Sequence, residues 1–260
     1  MLGFVMRRLR GRVPLAAAVL LTVLITTTVL TALFAFTRGV GEAGLRQALQ
    51  GPGRDRSTVL VTGGRPATAR AEDDKAVRAF AGELFERLPV AFESLARSRS
   101  YGIPGARTAG KDTDLTLLAS LDRERVRLLA GQWPQAAAGA DPARTQVAVP
   151  RAALTRLGLT EAALPAEVRL DDRYGGAPLT VQVTGVYRAA DPEAPYWQLD
   201  PLGGHELQAG TFTTYGPLLV DDTAFTAGGL PQNSRAVLLT PDFATVSPAQ
   251  ARDILSLINI

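Results

Sequence analysis

The 260-residue chain has no cysteine, one histidine (His205), two lysines, two methionines and two tryptophans. Without thiols it has no disulfides, thiolate zinc sites, iron–sulfur clusters or cysteine nucleophile. A single imidazole excludes any metal site that needs two histidines and leaves one candidate for a histidine-based triad. An overall basic surface is also missing. The formal net charge is +3, but Arg7, Arg8, Arg10 and Arg12 stand in an N-terminal stretch with no acid, and the other 248 residues carry 24 basic and 25 acidic side chains. The positive charge is a local cluster, so no nucleic-acid partner is expected. Apolar residues at 46% and charged residues at 20% exclude a wholly disordered chain.

What is present begins with an uncharged run from Val13 to Phe36. As a helix it spans roughly 36 Å, more than the hydrocarbon core of about 30 Å. Pro14 sits in its first turn, where a missing N–H costs little. The Thr26-Thr27-Thr28 triplet is polar, but helical threonines return their hydroxyls to backbone carbonyls. A signal-peptide apolar region is shorter, about 7–15 residues, and the run reads as an uncleaved anchor. Four arginines precede it, which puts the N-terminus in the cytoplasm and residues 37–260 outside, anchored in the plasma membrane. The division expected is a basic cytoplasmic N-terminus (1–12), a transmembrane helix (13–36), a helical stalk (37–50) and an extracytoplasmic domain (51–260). Gly51-Pro52-Gly53 reads as a breaker and hinge between stalk and domain.

The outer domain has the pattern of an α+β fold. Thr58–Thr62, Val90–Tyr101, Leu115–Leu121, Gln146–Val149, Leu218–Val220 and Ala236–Leu239 read as strands, and Glu167–Leu170 with Leu179–Arg188 reads as a hairpin around Gly175-Gly176. Asp73–Leu88 reads as a helix with Val77, Phe80, Leu84 and Leu88 inward and Pro89 stopping it. Asp122–Ala130 reads as a short helix ended by Gly131. Pro150 opens a helix carrying Leu154 and Leu157, with Gly158 as its C′ residue. Residues 189–214 read as a long loop, and Ser247-Pro248-Ala249-Gln250 as a final helix start.

The sequence motifs point away from catalysis. Gly39-Val40-Gly41-Glu42-Ala43-Gly44 satisfies G-x-G-x-x-G, but it follows a membrane helix instead of a strand, so it reads as stalk glycines. Gly105 to Lys111 matches G-x-x-x-x-G-K, with Asp112 where magnesium needs Ser or Thr and a strand following where a helix should open. There is no G-x-S-x-G to serve His205 with Asp200 or Glu206, and the histidine reads as solvated or as a loop staple. The pairs Asp112/Asp114, Asp171/Asp172 and Asp221/Asp222 lack calcium-loop spacing and read as turn formers. Trp133 and Tyr196-Trp197 are candidates for ligand stacking, with packing under a long loop as the commoner role. No catalytic, cofactor-binding or metal-ligating residue emerges, and no enzyme is expected.

Several segments together resemble a known family. Arg125–Pro134, reading RVRLLAGQWP, is similar to the L/V-x-G-R-x-P segment of FtsX/MacB-type ABC transporter permeases, with Gln132 in place of the usual arginine. Gln146–Val149 and then Ala152-Ala153 to Leu157-Gly158-Leu159 resemble the valine-rich strand, small residues and L-G-L element that follow it there. Val183-Thr184-Gly185-Val186-Tyr187-Arg188 resembles the later V-x-G-V/I strand, and Asp191-Pro192 with Tyr196-Trp197 a variant of large permeases. The resemblance implies one transmembrane helix and stalk followed by a mixed α/β extracytoplasmic domain of the MacB periplasmic-core type. It implies a cytoplasmic ABC ATPase subunit as partner, a homo- or heterodimer of permeases in the lipid bilayer, and mechanical work or export. A complete permease of this kind carries at least three more membrane helices and a coupling helix. The sequence, ending at Ile254–Ile260, is therefore expected to be a fragment or a truncated product. Two other readings stay open from the residues alone: a stand-alone, single-pass anchored binding or sensor module, and an anchored hydrolase built on His205.

Overall fold

The computed structural model describes residues 13–50, 58–85, 88–105, 114–136, 139 and 145–242, with side chains of the first stretch placed at 17–37 and 40. The basic residues 1–12, the Gly51-Pro52-Gly53 breaker, most of the Gly105–Lys111 loop and the helix expected from Ser247 lie outside the described residues. The chain divides into two units. The described part of the first is one helix, and the second is a compact unit spanning Asp55–Asp242.

The helix, α1, runs unbroken from Val13 to Gln50. Its segment Ala17–Thr37 is long and apolar enough to cross a membrane. Thr22, Thr26, Thr27, Thr28, Thr31 and Thr37 each donate the hydroxyl to the carbonyl four residues back at 2.7–3.0 Å, so their polarity is satisfied within the helix. The glycines at 39, 41 and 44 lie inside this same helix, and the G-x-G-x-x-G string therefore has no strand-to-helix turn for a pyrophosphate.

The compact unit is built on an eleven-stranded sheet: β1 (Val59–Gly63), β2 (Val90–Arg97), β3 (Tyr101–Gly102), β4 (Leu115–Ser120), β5 (Val126–Gly131), β6 (Thr145–Pro150), β7 (Ala166–Asp172), β8 (Leu179–Ala189), β9 (Leu207–Gln208), β10 (Thr214–Leu219) and β11 (Ser234–Pro241). The order is β1-β11-β2-β4-β3-β7-β8-β6-β10-β9, with β5 added on β8. β10 also pairs in parallel with β4, so the path β4-β3-β7-β8-β6-β10 returns on itself. One apolar cluster gathers the residues facing into this ring, among them Leu118, Val147, Leu170, Val181 and Leu218, plus Ala153 and Leu154 of α3 (Arg151–Arg156) and Phe225 of α4 (Thr223–Thr226). A second cluster lies on the other face of the strands, where Leu95, Ala119, Ala148, Tyr187, Leu219 and Leu238 meet the loop residues Tyr196, Trp197, Leu199 and Leu202. Strands buried on both faces need apolar residues consecutively, which is why Leu117-Leu118-Ala119 and Val147-Ala148-Val149 show no alternation.

The α+β expectation is met, with corrections in detail. The first domain helix, α2, spans Arg70–Leu84 and ends before Pro89. Its inward row is Val77, Ala81, Leu84 and Phe85, packed on Val237 and Leu239 of β11. Phe80 is 46% exposed: at 100° per residue it is turned a full step away from Ala81, and Phe85 fills the core position instead. The segment Asp122–Ala130 is not a helix. Asp122 accepts a hydrogen bond from the Glu124 N–H at 2.9 Å and caps a single 3-10 turn, Arg123–Arg125. Val126–Gly131 then extends as β5, because side chains alternating about Val126, Leu128 and Ala130 fit the ladder offered by β8. Val90–Tyr101 is two strands, and the long loop 189–214 holds a 3-10 segment, Pro195–Leu199, whose Tyr196 and Trp197 are buried. The hairpin of β7 and β8, the opening of α3 at Pro150 and the positive φ of Gly158 after it follow the sequence pattern.

Candidate functional site

Three of the segments read separately from the sequence meet at one place. β5 and β8 are antiparallel neighbours, and their glycines Gly131 and Gly185 are direct partners. The two backbones approach so closely that a Cβ on Gly131 would lie 2.2 Å from the Thr184 carbonyl oxygen, and one on Gly185 would lie 2.4 Å from that of Gln132. Gly131 also has φ +74°, a conformation that disfavours other residues. The contact is locked by polar bonds: Gln132 N–H donates to the Thr184 carbonyl at 2.9 Å, and the Thr184 hydroxyl donates to the Gln132 carbonyl at 3.1 Å. β6 enters from the other side of β8, in parallel with it. Its Gln146 accepts from Gln135 N–H at 3.1 Å and donates its amide to Gln182 at 3.3 Å.

These bonds hold the turn after β5 as one wall of an open groove of about 620 Å³, lined by Leu128, Trp133, Pro134, Gln135, Arg123 and Asp221 among others. Arg123 organises it. Its guanidinium donates to the Pro134 carbonyl at 2.7 Å and to Asp221 at 3.0 Å, and it lies 6.0 Å from the Trp133 ring centroid. The groove therefore offers an aromatic face, a proline and exposed amides, with its charges already paired. That chemistry can receive an extended chain.

Of the other candidates, Trp133 and Asp221 belong to this groove and the rest are not among its lining residues. Tyr196 and Trp197 are buried against each other edge to face, with ring centroids 5.2 Å apart, and serve packing; Trp133 is half-buried at the groove. His205 is exposed. Its neighbour Asp200 is buried and accepts from Leu202 N–H at 3.1 Å and Gly204 N–H at 3.0 Å. Burial pushes the Asp200 carboxyl up, against those two backbone bonds and the charges of Arg97 and His205. Burial likewise raises Tyr187, whose hydroxyl donates to the Pro217 carbonyl at 2.7 Å, and Tyr196, whose oxygen accepts from Asp122 N–H at 2.8 Å. Glu206 accepts from Ala152 N–H at 2.9 Å. In the aspartate pairs, Asp114 is held by Arg156, Asp172 by Arg99, Asp221 by Arg123 and Asp222 by Arg70, and Asp112 lies outside the described residues. Among the described residues no group of three or more His, Asp or Glu side chains is placed to hold a metal.

Sequence reading put Gly131 and Trp133 in one segment, Gln146 and Gly185 in two others, and Asp221 in an aspartate pair read as a turn former; it missed Arg123. Arg123 and Asp221 are 98 positions apart, and no local pattern marks them as a pair.

The fold is similar to that of two solved structures. The periplasmic region of MacB from Actinobacillus actinomycetemcomitans matches at 13% identity and a TM-score of 0.35, over 78% of this chain and 83% of that one. A domain described as that of a permease protein from Porphyromonas gingivalis matches at 16% identity and a TM-score of 0.33, over 80% of this chain and 84% of that one. No protein-family model and no curated protein matches the chain.

Proposed function

We propose that the chain is the N-terminal part of a membrane subunit of an ABC transporter. In this reading it carries motion driven by a separate cytoplasmic ATPase from the membrane to an extracytoplasmic domain, for export or mechanical work and without catalysis of its own. The observation that carries the reading is the continuity of α1: the apolar span Ala17–Thr37 runs on as the same helix to Gln50, about 20 Å further. An unbroken helix transmits displacement and rotation along its axis, as a flexible linker does not. The order of the β5, β6–α3 and β8 segments, behind a basic start and an anchor, supports the same assignment. The N-terminus is then cytoplasmic and residues 37–260 extracytoplasmic, in a permease dimer.

The absence of cysteine makes the test clean, since any introduced thiol is unique. Tyr174 is exposed, and Tyr174→Cys is expected to react with a membrane-impermeant thiol reagent in intact cells; reaction only after permeabilisation overturns the orientation. Val40→Cys, on the helix beyond the span, is expected to cross-link to different extents with and without ATP in native membranes that contain the ATPase. Identical cross-linking in both states overturns transmission through α1. The groove beside Trp133 favours one second reading, a single-pass anchored binding module. That reading predicts an open frame with no further apolar spans and no co-purifying ATPase.

A further inference from the structure

We propose that Arg127 and Arg188, with Leu129 beside them, form a docking point for an acidic segment of a partner protein, one that presents a carboxylate next to an apolar side chain. Arg127 on β5 and Arg188 on β8 are direct partners in the antiparallel ladder. Their side chains therefore leave the same face of the sheet with Cβ atoms about 5 Å apart, a spacing at which like charges repel. Both residues are exposed. Among the described residues neither has a carboxylate partner, whereas Arg65, Arg70, Arg99, Arg123, Arg125, Arg151, Arg156 and Arg235 each hold one.

Carboxylates are not scarce in this unit: residues 55–242 carry 20 basic and 23 acidic side chains. Two that share a cavity with Arg188 are committed elsewhere. Arg188 borders a small cavity that also includes Asp200 and Glu206, but Asp200 is bound to two backbone N–H groups and Glu206 to a third. Glu93 is held by Arg125. One residue further along β5, the register shifts between Leu128 and Ala130, so Leu129 has no partner in the ladder and is 38% exposed.

A carboxylate received between the two guanidinium groups turns their repulsion into charge-assisted hydrogen bonds, and an apolar neighbour covers Leu129. The excess of acids over the whole unit selects a discrete acidic group over a uniformly anionic surface such as a charged bilayer, which the unit repels. The inference does not depend on the transport reading and fails separately from it.

The test uses the full chain in nanodiscs of zwitterionic phosphatidylcholine and a fluorescein-labelled Glu-Leu-Glu-Leu-Glu peptide, read by anisotropy. Saturable binding is expected, weakened at least tenfold by Arg127→Glu or Arg188→Glu and by added salt. Arg169→Glu, the same charge change at an exposed position on β7, is expected to leave it intact. Arg127→Gln and Arg188→Gln serve where a reversal disturbs folding, with at least a fivefold loss expected. The proposal is overturned if the wild type does not bind the peptide, if Arg169→Glu weakens binding as much, or if the Arg127 and Arg188 variants bind as the wild type does. It is also overturned if phosphatidylglycerol vesicles bind through these arginines while the peptide does not.

Discussion

Leucine does opposite things in the two units of this chain. On α1, Leu20 is 74% exposed and Leu24 61%, in a row of exposed apolar side chains. In the compact unit, Leu118, Leu238 and Leu239 are 0% exposed. Burying a leucine side chain is worth about 1.5–3 kcal/mol. The compact unit gains this by folding on itself, and α1 gains it only in a solvent as apolar as its own surface. The two units thus draw on the same residue type through different partners.

Leu238→Ala is the sharpest way to break that contrast. Leaving a cavity in the cluster around Tyr196 and Trp197, it is expected to destabilise the compact unit by about 3 kcal/mol, on the order of 10 °C. Leu24→Ala is expected to leave the same transition unmoved. Both tryptophans, Trp133 and Trp197, lie in the compact unit, so tryptophan fluorescence on heating reads that unit alone. Equal shifts for the two variants would contradict the separation.

Gly185→Ala comes next. Its Cβ meets backbone oxygen, which cannot swing aside as a side chain can, and a loss of about 2 kcal/mol is expected with opening of the groove wall. Hydrogen exchange at the Gln132 amide is expected to rise in step, because that amide bonds to Thr184 next to the substituted residue. A variant as stable as the wild type, with its Gln132 amide still protected, would show that the glycine pair is not what holds the turn.

The smallest effect is a pH dependence confined to the compact unit. The folded Asp200 carboxyl titrates above its ordinary value because it is buried. The folded state therefore binds this proton more tightly than the unfolded state does. The group's contribution to stability is full below its unfolded pKa and is lost as pH rises through the folded one. Asp200→Asn removes that term and loses one of the two amide bonds, an expected loss of about 1 kcal/mol at neutral pH. The gap between wild type and variant is expected to widen in favour of the wild type as pH falls through the folded Asp200 pKa. A gap that narrows over the same range would reverse the sign argued here.

Much of the fold was readable in the sequence wherever one residue dictates its own backbone. Pro150 and Gly158 bracket α3 by their own φ preferences, and Gly175 turns the β7–β8 hairpin. The reading went wrong where two local patterns compete. Asp122 is a good helix cap, and Val126, Leu128 and Ala130 suit a strand; the 3-10 turn took the cap and β8 took the strand. Phe80 fits the apolar spacing yet faces out, because such spacing does not say which of two adjacent faces a sheet will cover. For the candidate site, Gly131 and Gly185 stood out as members of separate segments, but nothing local said that they face each other.

The sequence by itself determined α1. An uncharged apolar run satisfies its backbone and its threonine hydroxyls internally, so no contact outside the helix is needed to specify it. The tertiary structure alone decided that β4 and β10 pair to complete a ring of strands, that β5 is a strand, and that Arg123 reaches Asp221 across the groove. Strand pairing satisfies backbone groups between segments distant in sequence, and which segments meet depends on the packing of the whole core.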